Sequence, residues 1–268
     1  MMPRWVFMWT MAFALYGACK WWTYWRVREQ FGPRDRGREL GYLMAWPGMD
    51  ASAFLSHSAS TPESTSRFEW AIAGFKILVG LVLTWIVARW AWPDNPLLAG
   101  WIGMVGAISM LHFGIFHLLS LAWRRAGINA VPLMRNPIRA TSLGEFWGRR
   151  WNTGFHELAN RLTFTPLRPS LGVAGAMLTT FFASGLIHEL VISVPAGGGY
   201  GLPTGYFVLQ GVGVVGERSR LGRELGLGHG WRGWMFMVVV TAGPAFWLFP
   251  PPFVYNVILP MLGVIGAV

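Results

Sequence analysis

His188 is the residue of this sequence best placed to do chemistry. It stands with Glu189 inside LGVAGAMLTTFFASGLIHELVISV, Leu171 to Val194, a run long and apolar enough to cross a bilayer. An ionisable side chain there is costly unless it faces protein or a water-filled cavity, so such residues mark functional sites. On a helix Thr180, Ser184 and His188 fall four apart and form one narrow polar stripe. Gly185 lies beside the stripe, where another backbone or a ligand can approach closely. Neutral imidazole is suited to taking a proton at about pH 7, and the stripe reads as an active site inside a membrane. No metal site is expected. His188 and Glu189 open an H-E-x-x-H pattern, but its fifth position is Ile192 and the zinc pair is absent. Cys19 is the single cysteine, which excludes an internal disulfide framework and a cysteine-based metal cage.

A second polar constellation precedes the first, in TSLGEFWGRRWNTGFHELANRLTFTPLRP, Thr141 to Pro169. Ser142 and Glu145 have capping-box spacing, so a helix is expected from Leu143. Its apolar positions Leu143, Phe146, Trp147, Trp151, Phe155, Leu158 and Leu162 recur at three and four, and Pro166 and Pro169 are expected to stop it. Glu145, Arg149, Asn152 and His156 share the opposite face, with Glu145 four before Arg149 as an ion pair prefers. Such an amphipathic helix would lie at the membrane interface. His156 is a further polar-site candidate on the Asn152 face.

The elements that must position these residues are apolar runs. Hydrophobic residues make up 53% of the chain and charged ones only 13%, about half the charged share of a soluble domain. An all-α, polytopic transmembrane bundle of about seven spans is expected, in a single domain over residues 1–268. The spans fall near 5–25, 70–92, 97–123, 171–194, 203–216, 231–249 and 253–268; the fifth is short for a bilayer that needs about 20 residues and reads as re-entrant or oblique. The first run is retained as a span, since no small-residue cleavage site follows it. His57 to Arg67, rich in Ser and Thr, reads as an exposed loop.

The net charge of +10 sits in loops, which points to anionic lipid or an anionic cosubstrate rather than nucleic acid. The three long loops, 26–69, 124–170 and 217–230, carry the clustered arginines, while the turns at 93–96, 195–202 and 250–251 carry none. The positive-inside rule then puts the N-terminus outside and the large basic loops in the cytoplasm. No internal repeat supports an inverted-repeat transporter. Gly211, Gly213 and Gly216 match G-x-G-x-x-G without a strand before them, and helix packing explains them better. His112 and His117 lie on different helix faces and read as packing residues.

FWGRRWN (Phe146 to Asn152), followed 36 residues after its asparagine by the membrane-embedded SGLIHEL (Ser184 to Leu190), with WPGMD (Trp46 to Asp50) upstream, resembles the wax synthase-like branch of the membrane-bound O-acyltransferase family. The resemblance covers roughly Gly41 to Glu217. It implies an all-helical fold with a tunnel through the membrane, acyl-CoA entering from the cytosol, and an alcohol reaching the same point from another opening. Carried over by motif, His188 is the catalytic histidine and Asn152 the second signature polar residue.

Acyl transfer from a thioester to an alcohol needs a base for the hydroxyl proton, a role that suits His188. The developing oxyanion needs donors, and the Asn152 amide can supply one or orient a substrate. Arg149 and Arg150 can hold the phosphates of coenzyme A, with Trp151, Ser184, Thr180 and His156 as further substrate-binding candidates. The expected activity is transfer of a fatty acyl group from acyl-CoA, as cosubstrate rather than cofactor, to a lipophilic long-chain alcohol. Diacylglycerol, sterol or a glycan hydroxyl are alternative acceptors. From another class, a transporter or lipid-binding protein would use His188 in a proton relay.

Overall fold

The computed structural model describes residues 2–30, 35–56 and 63–268, and among these every regular element is helical. The expected Ser/Thr-rich loop at His57 to Arg67 lies partly outside the described residues, over 57–62. Its end, Ser66, starts a helix with a complete capping box: Glu69 N donates to Ser66 Oγ over 3.1 Å and Ser66 N to Glu69 Oε2 over 3.0 Å.

Among the described residues, three stretches are long and apolar enough to cross a membrane, Arg67–Ala91, Pro96–Arg125 and Thr153–Ala196; a fourth arises if the pair Gly230–Leu248 and Pro251–Val264, bent by 57°, counts as one. The first expected span forms a single helix, Arg4–Val27, but Arg4, Lys20 and Arg26 dilute its apolar character. The fifth forms Leu202–Arg218, 17 residues long, short of the roughly 20 that a bilayer needs.

The chain divides into two compact units, one of Met1–Ala12, Arg135–Asn152 and His156–Met261, the other of Phe13–Met134, Thr153–Phe155 and Leu262–Val268. In the second unit, Arg67–Ala91 and Pro96–Arg125 are joined by the PDNP turn, where Asn95 Oδ1 accepts from Leu98 N over 3.0 Å. Glycines bring the two helices together. A Cβ on Gly80 would lie 2.7 Å from the Gly106 carbonyl oxygen, the close backbone contact that membrane helices use. WPGMD belongs to the same unit. Tyr16 Oη donates to Trp46 O over 3.2 Å, the buried Lys20 ammonium donates to Gly48 O, and Asp50 caps Ala51–Leu55 through Ala53 N.

The first unit holds both chemical motifs, and its main feature is a reversal that the apolar run conceals. Thr153–Ala196 counts 44 helical residues, which would extend about 66 Å if straight, twice the bilayer's hydrocarbon thickness. Thr163 Oγ1 nevertheless donates to Thr180 Oγ1 over 3.0 Å, although 17 residues of straight helix would separate them by about 25 Å. The stretch is therefore a helical hairpin. Its tip is Gly172, at φ 68° and ψ 179°, a conformation essentially restricted to glycine.

The expected interfacial helix from Leu143 does not form as one piece. Leu143–Glu145 is α-helical, Phe146–Arg150 is a π turn closed by Trp151 N donating to Phe146 O over 2.8 Å, and Asn152 sits in the left-handed region at φ 43°. A new helix then begins at Thr153. Pro166 and Pro169 do not stop it. Pro166 lies inside the helical run, directly after the π turn Asn160–Phe164, and Pro169 lies three residues before the reversal.

Candidate active site

The second arm of the hairpin carries the Thr180, Ser184 and His188 stripe. The His188 ring is half-buried, with Nδ1 2.7 Å from the carbonyl oxygen of Ser184 one turn earlier. A carbonyl only accepts, so Nδ1 carries the proton, and in the neutral ring Nε2 keeps its lone pair. That is the tautomer of a base. One face of the ring lies against Phe207, with centroids 4.3 Å apart.

Phe207 belongs to Leu202–Arg218, and Gly185 admits this helix: a Cβ on Gly185 would lie 2.7 Å from Thr204 Cα. The close backbone neighbour expected beside the stripe is thus Thr204. The contact is fastened by Glu189, whose Oε1 accepts from Thr204 N and Oγ1, each over 3.0 Å. A carboxylate there also meets the positive end of the helix. Gly211 and Gly213 are packing residues as expected, their absent Cβ atoms lying 3.1 Å from Phe181 Cβ and 2.6 Å from Leu143 Cδ2, but Gly216 is not, since a Cβ there would meet nothing within 4 Å.

The other motif grips the same helix. Trp147 places its ring 5.7 Å from Phe207 and 5.9 Å from Phe181, and its Nε1 donates to Gln210 Oε1 over 3.2 Å. Glu217 Oε2 and Oε1 accept from Leu143 N and Gly144 N over 2.7 and 2.8 Å. Phe207, Gln210, Val214 and Glu217 recur at three and four, and all four are buried. One face of one helix therefore holds FWGRRWN and touches the His188 ring. No motif marks these residues in the sequence; their signal is Gln210 and Glu217 sharing a face with Phe207 in an otherwise apolar run.

Within FWGRRWN, the expected Glu145–Arg149 pair is replaced. Arg150 Nε and Nη2 both reach Glu145 Oε1 over 2.7 Å, and its Nη1 donates to Arg135 O over 3.1 Å. The cause is the π turn, whose i to i+5 closure brings the fifth residue over the first. Burial pushes the Glu145 carboxyl up, but hydrogen bonds from Thr141 and Arg150 outweigh it and hold it below the usual range. The capping box is half formed: Ser142 Oγ accepts from Glu145 N over 3.0 Å, while Glu145 turns to Thr141 N over 2.8 Å. Arg149 is exposed. Trp151 stacks on Phe146 at 5.4 Å. The backbone carbonyl of Asn152 accepts from His156 N over 3.1 Å, and the exposed His156 lies beside Gly148. Thr180 is committed to the hairpin, accepting from Thr163 and donating to Ala176 O over 2.8 Å.

Residues 130–209, which run from before FWGRRWN through the hairpin to Phe207, match the sequence profile described as "Membrane bound O-acyl transferase family". Over that stretch the chain is similar to the membrane-bound O-acyltransferase family. Its similarity is to the wax synthase-like members. It is 37% identical over 149 residues to the long-chain-alcohol O-fatty-acyltransferase of Simmondsia chinensis, covering 48% of this chain and 40% of that one. With the probable long-chain-alcohol O-fatty-acyltransferase 7 of Arabidopsis thaliana it shares 29% identity over 147 residues, 48% of this chain and 42% of the other. A shorter match, 41% over 68 residues, covers 22% of this chain and 19% of acyl-CoA--sterol O-acyltransferase 1 of Arabidopsis thaliana. The chain thus spans about two-fifths of the length of the first two relatives. The stretch shared with the O-acyltransferase profile contains Asn152, His188 and Phe207.

Proposed function

We propose that this chain is a membrane-embedded O-acyltransferase that moves a fatty acyl group from acyl-CoA to the hydroxyl of a long-chain lipophilic alcohol, with His188 as general base. The observation that carries the reading is the His188 ring: in an apolar helical hairpin, its Nδ1 proton is given to Ser184 O over 2.7 Å, so Nε2 is the accepting nitrogen. Nε2 takes the hydroxyl proton as the alcohol oxygen attacks the thioester carbonyl. The tetrahedral intermediate then expels the coenzyme A thiolate, which takes the proton back from the imidazolium, leaving an ester and free thiol. No covalent acyl-enzyme and no further cofactor is required. The Asn152 amide donates to the developing oxyanion or orients a substrate.

The exposed Arg149 is the better of the two arginines for the coenzyme A phosphates, since Arg150 is engaged by Glu145 and Arg135. Trp151, His156 and Ser184 line the substrate positions in this reading. About seven membrane passages, with the N-terminus outside and the basic loops facing the cytoplasm, bring acyl-CoA to the hairpin from the side where it is made. A dry passage through the membrane keeps water from the thioester. Similarity to long-chain-alcohol O-fatty-acyltransferases supports a fatty alcohol acceptor, and the acyl-CoA--sterol relative makes sterol the next acceptor to try. The test is the lipid extract of cells expressing wild type or His188→Ala and supplied with hexadecanol or a sterol. Wax ester in the wild-type extract alone is the expected result. Equal ester in both would overturn the assignment of the base; ester in neither, with folded protein in the membrane, would overturn the activity.

A further inference from the structure

We propose that Gln210 is a positioning residue of this site, the residue that sets FWGRRWN and His188 in register; the inference rests on the acyl-transfer reading above. Gln210 is completely buried, 0% exposed, and both ends of its amide are committed. Oε1 accepts from Trp147 Nε1 over 3.2 Å and Nε2 donates to Val240 O over 2.8 Å. Val240 lies in the last turn of Gly230–Ala242, where carbonyls lack intrahelical donors. That carbonyl fixes the orientation of the amide, because only the NH₂ end can face it. The oxygen is then left pointing at the indole N–H of Trp147.

Three residues earlier on the same face, Phe207 stands between the Trp147 ring at 5.7 Å and the His188 ring at 4.3 Å. Trp147 is thereby held at two points, by its N–H and by its ring, to the helix face that bears on the imidazole. A shift of Trp147 is passed to His188 through Phe207, and to Trp151 and Asn152 through the π turn. Tyr206 supplies the comparison. Its hydroxyl donates to Thr241 O over 3.1 Å, so it serves the same helix end as Gln210 without engaging Trp147.

The experiment uses the full chain in lipid nanodiscs, with palmitoyl-CoA and hexadecanol as substrates. Gln210→Met strands a buried indole donor, and about a tenfold fall in kcat is expected, with KM for palmitoyl-CoA within about twofold of wild type. Gln210→Glu, as the protonated acid that this buried position favours, donates to Val240 O and accepts from Trp147, and is expected to recover kcat to within about threefold. Tyr206→Phe is expected to leave kcat unchanged. In a Trp147→Phe background, which keeps a ring but removes the donor, Gln210→Met is expected to add little further loss of kcat or of melting temperature, the non-additivity of a coupled pair. Unchanged kcat in Gln210→Met, an effect confined to KM, equal loss in Tyr206→Phe, or additive losses in the double variant would each overturn the proposal. If the wild type itself turns nothing over, the acyl-transfer reading fails separately. The melting-temperature cycle alone then decides the Gln210–Trp147 link: non-additivity supports it and additivity overturns it.

Discussion

Gly185→Ala tests the packing that brings the histidine helix to its neighbour. The added Cβ would lie 2.7 Å from Thr204 Cα and 3.3 Å from its Cβ and Cγ2, where carbon atoms ordinarily rest at about 3.5–4.0 Å. Because the nearest atom is backbone, no side-chain rotation relieves the clash, and the two helices must separate by about 1 Å. Overpacking of this kind costs about 1–3 kcal/mol, and a backbone clash belongs at the upper end. The gain from replacing glycine by alanine in a helix is about 1 kcal/mol. A net loss of about 2 kcal/mol is therefore expected, together with lengthening of the 3.0 Å bonds from Thr204 to Glu189 and retreat of Phe207 from the His188 ring. The assay is unfolding by SDS titration in mixed micelles, beside Gly74→Ala. Gly74 lies in the helix Arg67–Val82 with nothing within 4 Å of its missing Cβ, so this control is expected to gain up to about 1 kcal/mol. A Gly185→Ala protein as stable as wild type, with Gly74→Ala behaving as stated, would refute the close approach.

Asn152 occupies the left-handed region at φ 43°, so Asn152→Gly is expected to keep the stability and lose turnover, whereas Asn152→Ala loses turnover and a further 1–2 kcal/mol, roughly; melting temperature and ester formation measured on both separate the backbone from the amide. Gly172→Ala places a Cβ at φ 68°, ψ 179° and is expected to destabilise the hairpin by about 1–3 kcal/mol, read as loss of protease resistance at the tip. The Glu145 carboxyl is held below the usual range by Thr141 and Arg150, against the upward push of burial. A depressed folded value contributes stability above the unfolded carboxylate's titration at about 4.3, lost as pH falls through the folded value. The melting temperature of wild type should therefore exceed that of Glu145→Gln near neutrality, and the difference should close on acidification.

Local pattern carried the placement of the candidate site's residues further than the architecture around them. The Thr180, Ser184 and His188 stripe, Gly185 as a point of close approach, and the packing glycines Gly211 and Gly213 were legible because each depends on helical period and residue size alone. The reversal at Gly172 was not, since LGVAG is as apolar as the rest of the run and only a contact 17 residues long, Thr163 to Thr180, reveals the turn. The exchange of Arg149 for Arg150 as the partner of Glu145 was hidden for a different reason: a period of 3.6 pairs Glu145 with Arg149, whereas the backbone adopts a π turn. Gln210 and Glu217 were missed because their partners, Trp147, Leu143 and Gly144, lie more than 60 residues away, and no local period encodes such pairings.

The most direct measurement is release of free coenzyme A thiol by the purified chain in nanodiscs, followed with palmitoyl-CoA in the presence and absence of hexadecanol, for wild type and His188→Ala of equal melting temperature. Thiol release that requires the alcohol and falls by at least about 10²-fold in the variant is the predicted result. Release at the same rate in both proteins would contradict the assignment of His188 as the base.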